Sequence, residues 1–570
     1  MENNSRESKR DEFCVRVCGL KVKESAALAK DASTRTYYRI RTEDGKTYIV
    51  MDDEGCQNKM AEFVKLSALL NQHGVHAPKV LQKDMAAGFL LLEDLGNDTL
   101  TRLLESQEEN HLYKLALEPL IQVAKIREKP EFVPELTPEI VLRDICYFTD
   151  WYLPMATGKP LSSEQRATFR ALVGEVLPLG YRVPKTLVLW DYHVDNVMLP
   201  PGETTCAVLD FQDAYWGPLT YDVMSLVEDC RREVNPATTA RQIKDLFFAS
   251  LDGVSRADFD ASFAFWSMFR HMRVLGRFTI LMACHGKDKY LRFVPHLWEM
   301  LNRSLEHPAF AKIKNWLTDN FPAELRGLPR RKPIRKGFIM AAGRGIRMRE
   351  LTSDRPKPLV RFCGRPIIDY VIERLTQTGI TDLVVNACYQ KEMLKEYLAA
   401  RADCRFAVSE EDEALETGGG IKKALPLCGE DPFVVLNSDQ VWDEDGYKPL
   451  LWRLMDGWND EKYDIVLLLQ DMKTICGDDY HGLGDYKFDV SGRPVRNLNK
   501  EAGFPYKFSG ISIVHPRVFK NSPDGKFSMV ALYDRAQGEG RLGAVVNTGV
   551  MYMMSSPEAV AAAENSRLSR

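Results

Sequence analysis

Leu189-Trp190-Asp191-Tyr192-His193-Val194-Asp195-Asn196, followed downstream by Leu209-Asp210-Phe211-Gln212, decides how the first half of this chain is read. Phosphoryl transfer of the kinase type asks for few side chains. One carboxylate orients the attacking hydroxyl and accepts its proton, while an Asn five residues later and a second carboxylate hold Mg²⁺ against the phosphates. Asp191, Asn196 and Asp210 stand at that spacing, with Asp210 fourteen residues after Asn196. The short β-type runs Thr186-Leu-Val-Leu189 and Cys206-Ala-Val-Leu209 precede the two carboxylates and would bring them together. A plain polar loop can also carry Asp-x4-Asn, but Asp210-Phe211 behind it and a β/α region in front favour chemistry.

Outward from that stretch, residues 13–100 contain the strand-like runs Tyr37-Tyr-Arg-Ile-Arg41, Lys46-Thr-Tyr-Ile-Val-Met51 and Gly88-Phe-Leu-Leu-Leu-Glu93. Residues 60–73 lie between the last two, with Phe63, Leu66, Leu69 and Leu70 at helical spacing, which predicts one helix on a sheet. Residues 110–180 and 238–320 read as mostly helical. A small β-rich lobe (about 13–97) followed by a larger helical lobe (about 98–325) is the expected organisation of residues 1–325. Residues 326–336, with Gly327, Pro329 and Pro333 among Arg330, Arg331, Lys332, Arg335 and Lys336, read as a basic, solvated linker.

Beyond the linker the grammar changes. Gly337-Phe-Ile-Met340, Asp382-Leu-Val-Val-Asn386, Pro432-Phe-Val-Val-Leu436 and residues 464–470 read as strands, alternating with helices at 367–377 and 393–400. That pattern predicts an α/β domain with a mostly parallel sheet over 337–570. Its first strand runs into Ala341-Ala-Gly-Arg-Gly-Ile-Arg-Met348 and then Arg355-Pro-Lys-Pro-Leu359. Glycines after a strand let backbone N–H groups approach phosphates, which makes Ala341, Gly343 and Gly345 candidates to bind nucleotide, while Arg347 and Lys357 add the charge a triphosphate needs. It is not a dinucleotide fingerprint, because Met348 stands where a third glycine belongs, and it lacks the Gly-Lys-Ser/Thr of a P-loop.

Two family resemblances attach to these residues. Asp31-Ala-Ser-Thr-Arg-Thr-Tyr-Tyr-Arg39, Tyr48-Ile-Val-Met-Asp52, Phe89-Leu-Leu-Leu-Glu-Asp-Leu-Gly96, Asp191-Tyr-His-Val-Asp-Asn196, Val208-Leu-Asp-Phe-Gln-Asp213, Gly217-Pro-Leu-Thr-Tyr-Asp222 and His271-Met-Arg-Val-Leu-Gly276 resemble the aminoglycoside phosphotransferase/choline kinase superfamily. Within it the likeness is to anomeric kinases of N-acetylmuramate and N-acetylglucosamine in cell-wall recycling. The resemblance implies an α+β two-lobed protein-kinase-like fold, Asp191 as base, Asn196 and Asp210 on Mg²⁺, Ser33 and Arg35 in the phosphate-covering turn, and Glu93 to Leu95 beside adenine. Two departures stand out: Trp190 occupies a place where the family usually has Arg, and Met51 the place of a common Lys. Arg35 and Arg39 are the candidates to supply that missing charge.

The second half resembles the nucleoside-diphosphate-sugar pyrophosphorylase family, and within it the enzymes that act on N-acetylmuramate-1-phosphate, through the glycine-rich string, Pro356-Lys-Pro358, Glu416-Thr-Gly-Gly-Gly420, Leu436-Asn-Ser-Asp439, Gly482-Leu-Gly-Asp485 and Phe508-Ser-Gly-Ile511. It implies an α/β Rossmann-like nucleotidyltransferase domain, Asp439 on Mg²⁺, and Glu416, Gly418 and Gly419 in the nucleotide and sugar loop. Near the C-terminus the family's second metal-side residue falls on Met553, a thioether poorly suited to Mg²⁺.

The expected function is a fused pair of enzymes. ATP phosphorylates the anomeric hydroxyl of N-acetylmuramate or N-acetylglucosamine, and UTP then gives the UDP-sugar and pyrophosphate. A choline-type kinase fused to a cytidylyltransferase is the nearest rival, disfavoured by the sugar-type segments 416–420 and 482–485. A regulatory protein that binds nucleotides without turnover is the other, motivated by Trp190 and Met553. Composition narrows the classes further. Lys plus Arg number 76 and Asp plus Glu 80 among 570 residues, a net charge of −4, so nothing in the charge favours nucleic acid or an anionic membrane. No apolar run has the length of a membrane span, and the charged start lacks a secretory h-region. The twelve cysteines are scattered without zinc-type spacing, which fits reduced thiols in the cytoplasm.

Overall fold

The computed structural model describes residues 2–28, 35–54, 57–329, 332–444, 446, 448–476 and 483–568. The chain forms two compact units, and they are not separated by one cut. The first comprises Met1–Tyr147, Glu164–Leu275 and Phe293–Pro322; the second comprises Phe148–Ser163, Gly276–Arg292 and Ala323–Arg570.

The first unit begins with a five-stranded sheet in the order Val22–Ala27, Thr36–Thr42, Thr47–Asp52, Phe89–Glu93, Val80–Asp84, antiparallel throughout. Ile40, Val50, Phe89 and Leu91 form its core with Phe13. Helix Gln57–Gln72 follows the third strand, near the expected position. Two elements lack any apolar periodicity. Strand Val22–Ala27 is held by backbone pairing and is mostly exposed. Helix Glu2–Glu12 is nearly all polar, and Arg6 fastens it by donating to Asp52 at 2.9 Å and lying over the Phe89 ring.

The rest of this unit is helical, interrupted by two small β pairs. Lys185–Val188 pairs with Tyr215–Pro218, and Val197–Met198 with Ala207–Val208. The two runs read from the sequence are thus strands of different ladders. Each delivers one loop of the site.

In the second unit a sheet runs Arg405–Glu410, Asp382–Ala387, Lys336–Met340, Phe433–Asn437, Tyr506–Val514, Ile465–Asp471, Leu542–Asn547. The first four are mutually parallel; Tyr506–Val514 is antiparallel to both neighbours; the last pair is parallel again. Strands buried on both faces explain apolar runs such as Phe433-Val-Val-Leu, whose core includes Phe338, Val384, Val435 and Leu467. Register places Met340 beside both Asn386 and Asn437, so three carboxyl ends converge at Ala341. Crevices outside such ends are where open α/β sheets bind ligands.

This unit also contains chain from before the expected linker. The Lys448 ammonium is fully buried, donating to Asp150 O at 2.9 Å and Asp456 at 2.7 Å, with Trp151 and Trp452 around it. Arg335 is not free in solvent: its guanidinium donates to Met282 O and Ala283 O at 2.6 and 2.5 Å, capping the last turn of helix Arg256–His285. Among the described residues no helix is long and apolar enough to cross a membrane.

Candidate functional sites

In the first unit the strand Lys185–Val188 leads into Leu189, Trp190 and Asp191. Asp222, buried in helix Thr220–Val227, accepts the N–H groups of Leu189 and Trp190 at 2.6 and 3.1 Å. Burial raises the Asp222 pKa to about 7 even against those two donors. Trp190 has φ 74°, a left-handed conformation that bulky residues rarely adopt. Packing sustains it: its ring stacks on Tyr221 at 4.7 Å and 8°, and Arg273 lies 4.6 Å above.

The buried Arg270, from helix Arg256–His285, donates Nη1 to Trp190 O at 3.2 Å and Nη2 to Asp191 Oδ1 at 3.3 Å. His193 Nε2 lies 3.4 Å from Asp191 Oδ2. Burial works to raise the Asp191 pKa, but His193, Arg270 and Arg231 outweigh it and hold the carboxyl well below the ordinary range. Its side chain still keeps 43% exposure, so an ionised acceptor faces an open approach.

Asn196 closes the turn by donating Nδ2 to Asp191 O at 2.9 Å, while its own backbone carbonyl accepts Leu209 N–H at 2.8 Å. One residue thus ties the Asp191 loop to the strand before Asp210. Asp210 is exposed, has φ 56°, and accepts from Gln212 at 2.6 Å. Phe211 is buried and stacks on Phe63 of helix Gln57–Gln72 at 4.9 Å. The structure thus bonds Asn196 both to Asp191 and to the residue before Asp210.

At the end of Phe89–Glu93, Glu93 accepts Lys79 N–H and contacts His76 Nε2, both at 3.2 Å. Leu95 is buried against Met198 and Ala207, on the wall that carries Asn196. Arg35 pairs with the buried Asp53 at 2.8 Å, and this group faces Tyr37, which feels the Asp210 charge. Arg39 instead donates to Asp94 at 2.9 Å and Gly96 O at 2.7 Å, beside Leu95. Met51 is fully buried. Ser33 lies outside the described residues.

In the second unit a buried polar chain shapes the glycine-rich loop. Asn386 accepts Ala341 N–H at 2.7 Å and donates to Glu411 at 2.7 Å, whose other oxygen accepts Leu415 N–H at 3.0 Å. Gly343 is exposed with open space around it, and Gly345 has φ 64°. A Cβ at Gly345 would meet Lys357 Cβ at 3.1 Å, so the loop presses on that lysine. Lys357 forms an ion pair with Asp439, each side chain 18% exposed. Gln440 Nε2 reaches the other Asp439 oxygen at 3.4 Å. Arg347 is exposed on the turn Ile346–Thr352, and among the described residues no ion pair or hydrogen bond joins it to Lys357 or Asp439.

Glu416 has φ 61° and lies 3.9 Å from Lys526. Gly418 and Gly419 are buried in helix Glu416–Cys428, and both N–H groups donate to Phe527 O, at 2.9 and 3.0 Å. A Cβ on Gly419 would fall 2.1 Å from Gly525 O, so these glycines provide close packing rather than free donors. Gly482 lies outside the described residues; Asp485 accepts Phe508 N–H at 3.0 Å. Near the C-terminus, Met551–Tyr552 pairs antiparallel with Val441–Trp442, and Met553 N–H donates to Cys476 O at 2.9 Å. Val441 faces Tyr552, which brings residue 553 into the neighbourhood of Gln440.

Among the described residues no group of three His, Cys, Asp or Glu side chains is arranged to hold a metal ion alone. Asn196 with Asp210, and Asp439, are sparse oxygen sites. They fit Mg²⁺ of the kind that takes most ligands from phosphates and water.

Sequence signals for the supporting residues were slight. Arg270 follows Phe265, Trp266, Met268 and Phe269 in the helix, and a buried charge in an aromatic helix needs a partner. Nothing in the sequence says which one.

Residues 25–259 match the model of a phosphotransferase enzyme family, and residues 336–467 that of a nucleotidyl transferase family. The N-acetylmuramate alpha-1-phosphate uridylyltransferase of Caulobacter vibrioides is 36% identical over 232 residues, 40% of this chain and 94% of that protein. The N-acetylmuramate/N-acetylglucosamine kinase of Neisseria meningitidis serogroup B is 33% identical over 283 residues, 48% of this chain and 84% of that protein. The same Neisseria strain has an N-acetylmuramate alpha-1-phosphate uridylyltransferase 30% identical over 240 residues, 40% of this chain and 99% of that protein. The chain therefore belongs to the phosphotransferase family of these sugar kinases through its first half and to the nucleotidyltransferase family of these uridylyltransferases through its second, and it is an enzyme of both classes in one polypeptide.

Proposed function

We propose that residues 1–325 phosphorylate the anomeric hydroxyl of N-acetylmuramate, and of N-acetylglucosamine, with ATP, and that residues 337–570 convert the sugar-1-phosphate with UTP to UDP-N-acetylmuramate in cell-wall recycling. One observation carries the reading: the two halves match two different Neisseria proteins whose names join product to substrate. A two-lobed kinase-like first half and a Rossmann-like second half complete the proposal. Nucleotide substrates and the free thiols of the described cysteines support a cytoplasmic location.

In the kinase half Asp191 Oδ accepts the acceptor hydroxyl's proton while Asn196 and Asp210 hold Mg²⁺. Ser33 and Arg35 belong to the phosphate-covering turn, and Glu93 and Leu95 border the adenine. In the transferase half Ala341, Gly343 and Gly345 present backbone to the triphosphate, Lys357 and Arg347 offset the charge developing at the α-phosphorus, and Asp439 holds Mg²⁺. Glu416, Gly418 and Gly419 shape the nucleotide and sugar loop. Mg²⁺ held by these residues would neutralise phosphate charge at both centres.

Incubating the full chain with ATP, UTP, Mg²⁺ and either amino sugars or choline, with product masses as readout, tests the reading. UDP-N-acetylmuramate is expected. CDP-choline would support the rival fusion, and bound nucleotide without product would leave a regulatory protein.

A further inference from the structure

Asp191 sits on a loop with little regular structure of its own. It follows a tryptophan held at φ 74°, and its carboxylate is 43% exposed. A base so placed needs lateral support if its oxygens are to stay aimed at one point. The support comes from far along the chain. Arg270 is 5% exposed, and its rigid fork reaches Trp190 O at 3.2 Å, Tyr221 Oη at 3.4 Å and Asp191 Oδ1 at 3.3 Å. A planar guanidinium can take a carbonyl and a carboxylate together, whereas an ammonium is a point charge without that fork. Tyr221 in turn stacks under Trp190, and Asp222 holds the loop's N–H groups from the other side.

We propose that Arg270 is the positioning residue of the kinase half: it fixes the backbone before Asp191 and one oxygen of its carboxylate, leaving the acceptor hydroxyl a single presentation of the base. The inference rests on the kinase reading, which the wild-type rate tests by itself. Arg270 works through Asp191, so its loss lowers turnover without weakening the binding of either substrate.

The test uses the full chain with Arg270→Lys, Arg270→Gln and Arg270→Ala, assayed for ADP release with N-acetylmuramate. Misplacing a catalytic group by about 1 Å can cost on the order of 100-fold. We expect kcat to fall by about tenfold or more in Arg270→Gln and by less in Arg270→Lys. KM for ATP and sugar should stay within about twofold, as a loss confined to the transition state requires. Millimolar guanidinium should restore part of the Arg270→Ala rate. Uridylyl transfer from supplied sugar-1-phosphate reports that the chain is folded. An unchanged kcat in Arg270→Gln would overturn the proposal, as would a rise in KM at constant kcat. Equal losses in all three variants without rescue, or a parallel loss of melting temperature and transferase activity, would make Arg270 a structural residue instead.

Discussion

The two units treat their central carboxylates differently. Asp191 is held by His193 and Arg270, both buried. Asp439 is held by Lys357, the cation proposed above to meet the triphosphate. The first arrangement is preorganised, and its electrostatics are set before the reactants arrive. In the second, Lys357 and Asp439 neutralise each other, and on the proposed reading binding exchanges that pair for metal and phosphate. The contrast says where each half is vulnerable: the kinase in its supports, the transferase in its exchange.

The largest break in that comparison is Asp191→Asn. Removing the base should cost about 10²–10⁴ in the phosphorylation rate. Uridylyl transfer from supplied sugar-1-phosphate should survive, since none of its residues lies in the first unit. Losing both activities would mean that the two centres are not independent.

Lys357→Ala comes next and should show the reverse pattern. Loss of one charge-stabilising donor typically costs about 10²–10³ in kcat. Sugar-1-phosphate should accumulate while ADP release continues at the wild-type rate. An unchanged yield of UDP-sugar would remove Lys357 from the proposed machinery.

Asp222→Asn probes the supports. The folded pKa of Asp222, about 7, lies above its ordinary 3.8, so between those values the folded state binds the extra proton. The stability this contributes is present at low pH and is lost as pH rises through 7. Wild type should therefore lose melting temperature relative to Asp222→Asn between pH 5 and pH 8. A constant difference across that range would mean that Asp222 is ionised throughout. The amide also leaves one of the Leu189 and Trp190 N–H groups without its acceptor, at about 1–3 kcal/mol.

What the sequence disclosed follows the range of the interactions. Strands such as Thr47–Asp52 and Phe433–Asn437 are apolar enough to read directly, because burial selects their side chains. Strand Val22–Ala27 and helix Glu2–Glu12 are not, since one rests on backbone pairing and the other on Arg6. In the site, Asp191 and Asn196 share one loop, so their spacing is local. Arg270 is 79 residues from Asp191, and its partner emerges only when the helix is docked. The glycines at 418 and 419, expected in the nucleotide and sugar loop, give their N–H groups to Phe527 O. Composition reveals that a small residue is needed but not whether a ligand or a neighbouring loop needs it.

The smallest expected effect sharpens the comparison most. Met553 follows the strand pair in which Val441 faces Tyr552, and Asp439 lies two residues before Val441. If residue 553 stands near the transferase metal, the thioether contributes nothing to Mg²⁺, and Asp439 must hold the ion with phosphate and water. Uridylyl transfer should then need more Mg²⁺ than phosphorylation, where Asn196 and Asp210 both contribute. Met553→Asp adds a hard oxygen ligand and should lower the Mg²⁺ concentration for half-maximal transfer by a few fold, without moving that of the kinase. The added carboxylate should also compete for Lys357, so the gain shrinks when the nucleotide is subsaturating. Mg²⁺ titrations of each half-reaction, in wild type and variant, read both effects. Identical Mg²⁺ dependence in the two halves, unmoved by the substitution, would mean that another residue completes the site and that 553 lies beyond its reach.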